Sequence, residues 1–124
     1  MTRKQILLID DQPDIQTVVR LSLKVVRGWQ VFTASSGKEG IQQAKTHQPD
    51  AILLDVMMPE MDGPATLAVL KADPVTQSIP IIFLTAKARA IDRKKLYELG
   101  AQGVINKPFS PTTLASQIAG FLSW

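Results

Sequence analysis

Polar residues that can bind metals or phosphoryl groups follow four short apolar runs in this chain. They are Asp10 and Asp11 after residues 6–9, Asp55 after residues 51–54, Thr85 after residues 81–84, and Lys107 after Val104 and Ile105. If the four runs are parallel strands, their carboxyl ends meet at one edge of a sheet, where such sheets bind ligands. Three carboxylates, one hydroxyl and one ammonium group would then share a pocket.

A pocket of this composition favours a divalent cation. Carboxylates held close together cannot all ionise at low cost, and a bound cation relieves their repulsion. Oxygen ligands suit Mg²⁺. Because a lysine and a threonine hydroxyl would lie beside the ion, the sequence predicts a site for a phosphoryl group.

The amino-acid sequence of these motifs resembles that of one known family, the receiver domains of two-component response regulators. The run DVMMPEMDG, which begins at Asp55, is similar to the phosphoacceptor loop of that family. Three further motifs occur in the family's order and at about its spacing, namely Asp10-Asp11, Thr85-Ala86 and Lys107-Pro108-Phe109. The resemblance covers essentially the whole chain, and the agreement of four motifs makes it specific.

The resemblance implies a metal site and a nucleophile. Asp55 is expected to accept the phosphoryl group as an acyl phosphate, since a carboxylate can attack phosphorus. Asp11 is expected to bind Mg²⁺ directly and Asp10 through a water molecule. Asp55 and the backbone carbonyl of Met57 would complete the protein ligands. The acid pair could equally complement the dipole of the helix that follows it, and both roles can hold together.

The resemblance also implies that Thr85 and Lys107 each hold one phosphoryl oxygen. Phosphoryl transfer depends mainly on positioning and charge neutralisation, which a hydroxyl and an ammonium group can supply. The Lys107-Pro108 bond invites a cis conformation, because proline reduces the preference for trans. Val104 occupies a position where receiver domains commonly carry an aromatic residue that rotates on phosphorylation. Valine is stiff at χ1 and has no ring, so that switch cannot be transferred to this chain.

Alternating apolar runs and helical patterns predict a doubly wound α/β fold with a five-stranded parallel sheet. The resemblance implies the flavodoxin-like order 2-1-3-4-5. The predicted strands are residues 6–9, 30–34, 51–54, 79–84 and 102–105. Helices 1 and 4 are predicted at residues 13–27 and 90–99. Helix 2 is opened by a capping box at Ser36 and Glu39, and helix 5 by Ser110 and Pro111. Helix 3 runs from Pro64 to the break at Asp73-Pro74. Helix 4 is expected to bury Ile91, Leu96 and Leu99, and helix 5 presents a stripe of Leu114, Ile118, Phe121 and Leu122.

Length and composition limit the possible functions. The 124 residues are expected to form one domain, residues 1–124, without a fused output domain. No apolar stretch approaches the roughly 20 residues that cross a bilayer, so no membrane association is expected. The chain has no cysteine, which suits the cytoplasm, and its net charge of +3 is too small to indicate direct nucleic-acid binding.

The sequence favours a single-domain response regulator over two other functions. It would take its phosphoryl group from a histidine kinase or a histidine phosphotransfer protein and signal to an unknown protein target through phosphorylation-dependent contacts. It would catalyse only its own phosphotransfer and autodephosphorylation. The second function is a phosphatase or phosphotransferase with an aspartyl-phosphate intermediate. Such an enzyme would need a second acid two residues after the nucleophile, and Met57 at that position argues against it. A receiver-like scaffold that is never phosphorylated is the third possibility.

Two further features concern the lifetime of the phosphorylated form and the surface that contacts a partner. Met57 and Lys87 are expected to flank the phosphoryl group, and neither is well suited to orient an attacking water, so slow self-dephosphorylation is predicted. Four basic residues lie on and before helix 4, namely Arg89, Arg93, Lys94 and Lys95. They form either a solvated helix face or a surface that docks a partner. His47 is not expected to take part in catalysis.

Overall fold

The computed structural model describes residues 3–86 and 89–124, which form a parallel sheet with helices on both faces. The strands are β1 (Gln5–Ile9), β2 (Gln30–Ala34), β3 (Ala51–Asp55), β4 (Ile81–Thr85) and β5 (Gly103–Asn106). The helices are α1 (Pro13–Arg27), α2 (Gly37–His47), α3 (Gly63–Ala72), α4 (Ala90–Glu98) and α5 (Leu114–Leu122). The sheet order is β2-β1-β3-β4-β5, which confirms the predicted order and fold class. None of the helices in the described ranges is long and apolar enough to cross a membrane.

Each face of the sheet buries its own apolar core. Side chains alternate along a strand, so Leu7 and Ile9 enter one core while Ile6 and Leu8 enter the other. The first core also contains residues of α2, α3 and α4, and the second contains residues of α1 and α5. A sheet covered on both faces needs strands that are apolar throughout, which explains the continuous apolar runs of β1, β3 and β4.

The strand register brings the predicted site residues to one edge of the sheet. Ile9 lies opposite Leu54 in the β1–β3 pair, so the residues that follow β1 lie beside the end of β3. Thr85 lies opposite Asn106 in the β4–β5 pair, and the backbone N–H of Lys107 donates to the carbonyl of Thr85 at 2.8 Å. The connection after β1 runs toward β2, whereas the connection after β3 runs toward β4 on the opposite side. A crevice opens between these diverging connections at this edge of the sheet.

Local capping explains most of the helix boundaries. Gly28 takes a left-handed conformation with φ 68° at the end of α1, as expected for a residue without Cβ. Ser36 accepts a hydrogen bond from the backbone N–H of Glu39 at the start of α2, which confirms the predicted cap. The Glu39 carboxylate returns to the backbone N–H of Ser35 and so closes the turn one residue earlier than an ideal capping box.

The expected burial of helix 4 is wrong at two of three positions. Leu96 is buried, but the side chains of Ile91 and Leu99 are 59% and 48% exposed. Helix α4 packs against β5, a strand of four residues at the edge of the sheet. Such a short edge strand covers only the middle of the helix, so an apolar residue near either end remains in contact with solvent.

Several predicted boundaries shift by a few residues. Strand β4 begins at Ile81 rather than at residue 79, because Pro80 lacks the N–H that a strand interior needs. Strand β5 lies one residue later than predicted. Residues 110–113 form a hydrogen-bonded turn, and α5 begins only at Leu114. The stripe of α5 is buried at Leu114 and Ile118, and partly buried at Phe121 and Leu122.

Candidate functional site

Three carboxylates converge where β1 and β3 end. One oxygen from each of Asp10, Asp11 and Asp55 lies within 4.8 Å of the other two. Asp10 is fully buried, Asp55 is nearly so, and Asp11 is exposed to solvent. The structure therefore brings together the acids that the sequence selected, and their oxygens form a donor set suited to a hard divalent cation.

The ammonium group of Lys107 compensates part of this negative charge. Its Nζ lies 2.9 Å from Oδ2 of Asp10 and 3.2 Å from Oδ1 of Asp55. The Lys107 side chain is only 13% exposed, so most of its surface is removed from water, although it also lines an open recess. The Lys107-Pro108 peptide bond is cis, as the sequence suggested.

Hydrogen bonds hold Asp10 in place from the side of α1. Its Oδ1 accepts from the backbone N–H of Gln12 at 2.9 Å, while its Oδ2 faces Lys107. The side-chain amide of Gln16 donates to the backbone carbonyl of Asp10 at 2.7 Å and to the hydroxyl of Ser35 at 3.1 Å. The buried carboxylate therefore has partners on both oxygens, which burial of a charge requires.

Burial and neighbouring charges shift two of the ionisable groups. Burial and the nearby Asp10 carboxylate raise the pKa of Asp55, although the ammonium of Lys107 opposes this shift. Burial alone would lower the pKa of Lys107, but its contacts with Asp10 and Asp55 outweigh burial and leave that pKa raised. Thus the raised pKa of Lys107 favours its charged form, while the raised pKa of Asp55 makes its ionisation less favourable than that of an ordinary aspartate.

A recess of about 260 Å³ opens beside the acids. It is lined by Asp11, Gln12, Asp55, Met57, Thr85, Ala86 and Lys107. Thr85 is buried, whereas the Met57 side chain projects into solvent at the rim. The backbone N–H of Met57 lies 3.4 Å from Oδ1 of Asp55. Of the sequence-selected positions, Lys87 lies outside the described residues.

Gly63 explains why the loop after Asp55 can fold back toward the sheet. Its backbone N–H donates to the carbonyl of Val56 at 2.8 Å. A Cβ at Gly63 would collide with the Asp55 carbonyl oxygen and would lie 2.8 Å from the Cα of Val56. Only glycine allows this close approach, so the last residue of the DVMMPEMDG run helps to position Asp55.

Two glutamines belong to the site although nothing in the sequence marks them. Gln12 lines the recess, and its Oε1 lies 3.5 Å from Nζ of Lys107. Gln16 supports Asp10 from the first turns of α1. A lone glutamine has no charge and no motif spacing, so its role emerges only from the folded geometry.

Other polar residues named above lie away from this recess. The Arg93 guanidinium donates to Oδ1 of Asn106 at 2.6 Å and so joins α4 to β5. Arg89 forms an exposed ion pair with Asp92 at 3.0 Å. The ring of His47 stacks on Phe32 with 4.0 Å between centroids.

Comparison with known proteins identifies the family. The sequence profile described as "Response regulator receiver domain" matches residues 6–119. The alkaline phosphatase synthesis transcriptional regulatory protein PhoP of Bacillus subtilis is 38% identical over 119 residues, and the probable transcriptional regulator ycf27 of Guillardia theta is 36% identical over 121. These alignments cover 96% and 98% of the chain but only 48% and 46% of the relatives, so the chain spans about half their length.

Solved structures agree with the profile. The chemotaxis response regulator CheY4 of Vibrio cholerae matches with a TM-score of 0.90 and 29% identity, covering 97% of this chain and 99% of that one. A putative response regulator from Chloroflexus aurantiacus matches with a TM-score of 0.89 and 30% identity, covering 99% of this chain and 100% of that one. Because the family profile spans nearly all of its residues, this chain belongs to the receiver domains of response regulators.

Proposed function

We propose that the chain accepts a phosphoryl group on Asp55 from a histidine kinase or a histidine phosphotransfer protein. The observation that carries this proposal is the position of the Asp55 carboxylate. It lines an open recess, with the ammonium of Lys107 at 3.2 Å and the Asp11 carboxylate beside it. Two carboxylates and an ammonium group therefore surround one space that solvent and a phosphoryl donor can enter, which supports nucleophilic attack by Asp55.

The proposed transfer is an in-line displacement at phosphorus. An oxygen of Asp55 attacks the phosphorus of a phosphohistidine, the new O–P bond forms, and the N–P bond breaks. The electron pair of that bond returns to the imidazole nitrogen, which then takes up a proton from solvent. Lys107 neutralises charge on the phosphoryl oxygens, and the hydroxyl of Thr85, which lines the same recess, donates a hydrogen bond to one of them.

The acid cluster fits the Mg²⁺ that receiver domains generally bind. Three carboxylate oxygens within 4.8 Å of one another, one of them on an exposed residue, match the preference of Mg²⁺ for a few carboxylates and several waters. Asp11 and Asp55 line the recess and would bind the ion directly. Asp10 lies behind them, already paired with Lys107, and would act through water. The carbonyl of Met57 is proposed as the remaining protein ligand. When bound, Mg²⁺ neutralises charge on the transferring phosphoryl group.

We further propose that the chain acts as a single-domain regulator in the cytoplasm and signals through protein contacts. This chain covers 99% of the CheY4 chain in its solved structure, so a chain of this extent can form the complete receiver fold. PhoP and ycf27 are named as transcriptional regulators, but the chain spans only about half of each, and no direct nucleic-acid contact is proposed for it. Its catalysis is limited to its own phosphorylation and dephosphorylation.

The proposal is tested by labelling with a small acyl-phosphate donor, acetyl phosphate, in the presence of Mg²⁺. Intact-mass analysis should show one added phosphoryl group on the parent protein and none on the Asp55→Asn variant. Asp14→Asn is a matched control, because Asp14 is an exposed acid in the first turn of α1. Excess chelator should suppress labelling of the parent.

Equal labelling of the Asp55→Asn variant would refute Asp55 as the phosphoacceptor. No labelling of the parent by acetyl phosphate or by a panel of histidine kinases would support the scaffold interpretation instead. A phosphatase would release phosphate from an added monoester with turnover, and such turnover would contradict the proposed signalling role.

A further inference from the structure

A second recess, rich in positive charge, lies at the opposite end of the sheet from Asp55. It has a volume of about 260 Å³ and is lined by Arg3, Arg20, Lys24, Trp29, Gln30 and Val31, which we call the basic recess. Trp29 is buried, and Val31 is partly buried, so both can form an apolar floor. The three cations are exposed around this floor.

Two more cations extend this surface through aromatic contacts. Arg27 lies over the ring of Trp29 at 5.6 Å from its centroid. Trp29 packs edge-to-face against Trp124, with 5.4 Å between ring centroids, and Nζ of Lys4 lies 4.5 Å from the centroid of Trp124. These contacts hold the two tryptophans and fix their neighbouring cations close to the recess.

The charge of this surface is not balanced by nearby acids in the sequence. No Asp or Glu occurs between Asp14 and Glu39, a stretch that includes most of α1 and all of β2. Five of the 14 lysine and arginine residues of the chain contribute to the surface, namely Arg3, Lys4, Arg20, Lys24 and Arg27. Within residues 3–86 and 89–124, none of the five forms an ion pair with an acidic side chain.

We propose that the basic recess docks an acidic segment of a protein partner. Carboxylates of the segment would pair with Arg20, Lys24 and Arg3, and an apolar side chain between them would lie over Trp29 and Val31. A concave recess with an apolar floor favours a peptide, whose single side chains can enter it. A bilayer or a nucleic-acid duplex would meet only the rim cations and would leave the floor uncovered.

This docking surface is separate from the phosphoacceptor and does not depend on the proposed transfer. Arg3 precedes β1 and Asp10 follows it, so at about 3.3 Å per residue the two lie roughly 23 Å apart along the strand. A segment bound in the basic recess therefore leaves Asp55 open. Binding should have the same affinity for the phosphorylated and unphosphorylated protein.

The experiment uses a fluorescein-labelled peptide with one leucine flanked on both sides by glutamates, titrated with the full chain and followed by fluorescence anisotropy. Replacing Arg20 and Lys24 together by Glu should weaken binding by about tenfold or more, because attraction becomes repulsion at the rim. The matched control replaces Lys94 and Lys95, which are exposed on α4, by Glu, with the same change in net charge. The milder Lys24→Gln and Arg3→Gln variants should each give a smaller loss, and they test the surface even if the double reversal fails to fold.

Several outcomes would overturn the proposal. Equal loss in the α4 control would show attraction by net charge alone. Equal binding of a peptide with glutamine in place of every glutamate would remove the need for carboxylates. Tighter, Arg20-dependent binding to phosphatidylglycerol vesicles or to a DNA duplex would assign the surface to a membrane or to nucleic acid. Labelling of Asp55 by acetyl phosphate should be unchanged in all of these variants, so this test and the test of phosphoryl transfer can fail independently.

Discussion

Replacing Lys107 by Met should destabilise the protein far more than the loss of an ordinary ion pair. The variant keeps a side chain of similar length but removes the ammonium that lies 2.9 Å from Asp10 and 3.2 Å from Asp55. Asp10 is fully buried, and among the described residues its carboxylate would retain only the hydrogen bond from Gln12. Two buried carboxylates would then face each other without the cation that now separates them.

The expected loss follows from the burial of the pair. Removing one partner of a buried ion pair costs about 3 to 5 kcal/mol of folding free energy. Because water can reach Asp55 from the open recess, we expect a loss of about 3 kcal/mol, at the lower end of this range. With a urea m-value of roughly 1 to 3 kcal/mol/M, the midpoint of unfolding should fall by about 1 to 3 M. Saturating Mg²⁺ should reduce the loss, because a cation bound by the acids replaces part of the missing charge.

Urea denaturation followed by circular dichroism measures this loss in chelator and in Mg²⁺. Lys45→Met is the matched control, since its contact with Asp73 at 3.3 Å is exposed and the Lys45 side chain is 50% accessible. An exposed pair contributes about 0 to 1 kcal/mol, so this variant should unfold almost as the parent does. Equal losses for the two variants, or a Lys107→Met loss that Mg²⁺ does not change, would refute the reasoning.

Two further predictions concern the charge of Asp55 and the lifetime of its phosphorylated form. Asp55→Asn should stabilise the protein at neutral pH. The fold raises the pKa of Asp55 above 3.8, so ionisation of this carboxyl group costs more in the folded protein than in the unfolded chain. The neutral asparagine avoids that cost. The advantage of the variant should be absent below pH 3.8 and should grow as pH rises through the folded pKa; urea denaturation across pH that shows a constant difference would contradict this. Met57→Asn combined with Lys87→Glu should speed decay of the phosphorylated protein by about tenfold, which needs only about 1.4 kcal/mol of better water positioning. Decay timed after donor removal at matched Mg²⁺ would contradict the prediction if the variant and the parent decayed equally.

The alternation of strands and helices could be predicted from the residue pattern, whereas the strand order was implied only by the family resemblance. Residues 51–54 form a continuous apolar run that suits a strand buried on both faces, and β3 lies in the centre of the sheet as that pattern requires. Gly28 and Ser36 mark helix ends by local chemistry that does not depend on the rest of the fold. Once the strand order is that of the family, the residues that follow β1 and β3 must lie side by side.

Features that depend on the shape of the covering surface could not be predicted in this way. Periodicity places Ile91, Leu96 and Leu99 toward one side of a helix, but it does not tell how much of that side the neighbouring strand covers. The late start of α5 has a similar origin. Ser110 and Pro111 are good residues for a helix start, yet the chain completes a separate turn before Leu114 enters the core.

The acid cluster shows why the stability of this fold and its proposed chemistry depend on different residues. The two cores consist of apolar side chains on both faces of the sheet, and they do not require the carboxylates at its edge. Ionised Asp55 instead raises the free energy of the folded protein, because burial and the nearby Asp10 carboxylate raise its pKa. A cation that enters the recess would offset this cost, because it interacts favourably with the ionised carboxylate. If the site binds Mg²⁺ as proposed, it exchanges folding stability for affinity toward that ion, while Lys107 limits the cost when the acids have no other partner.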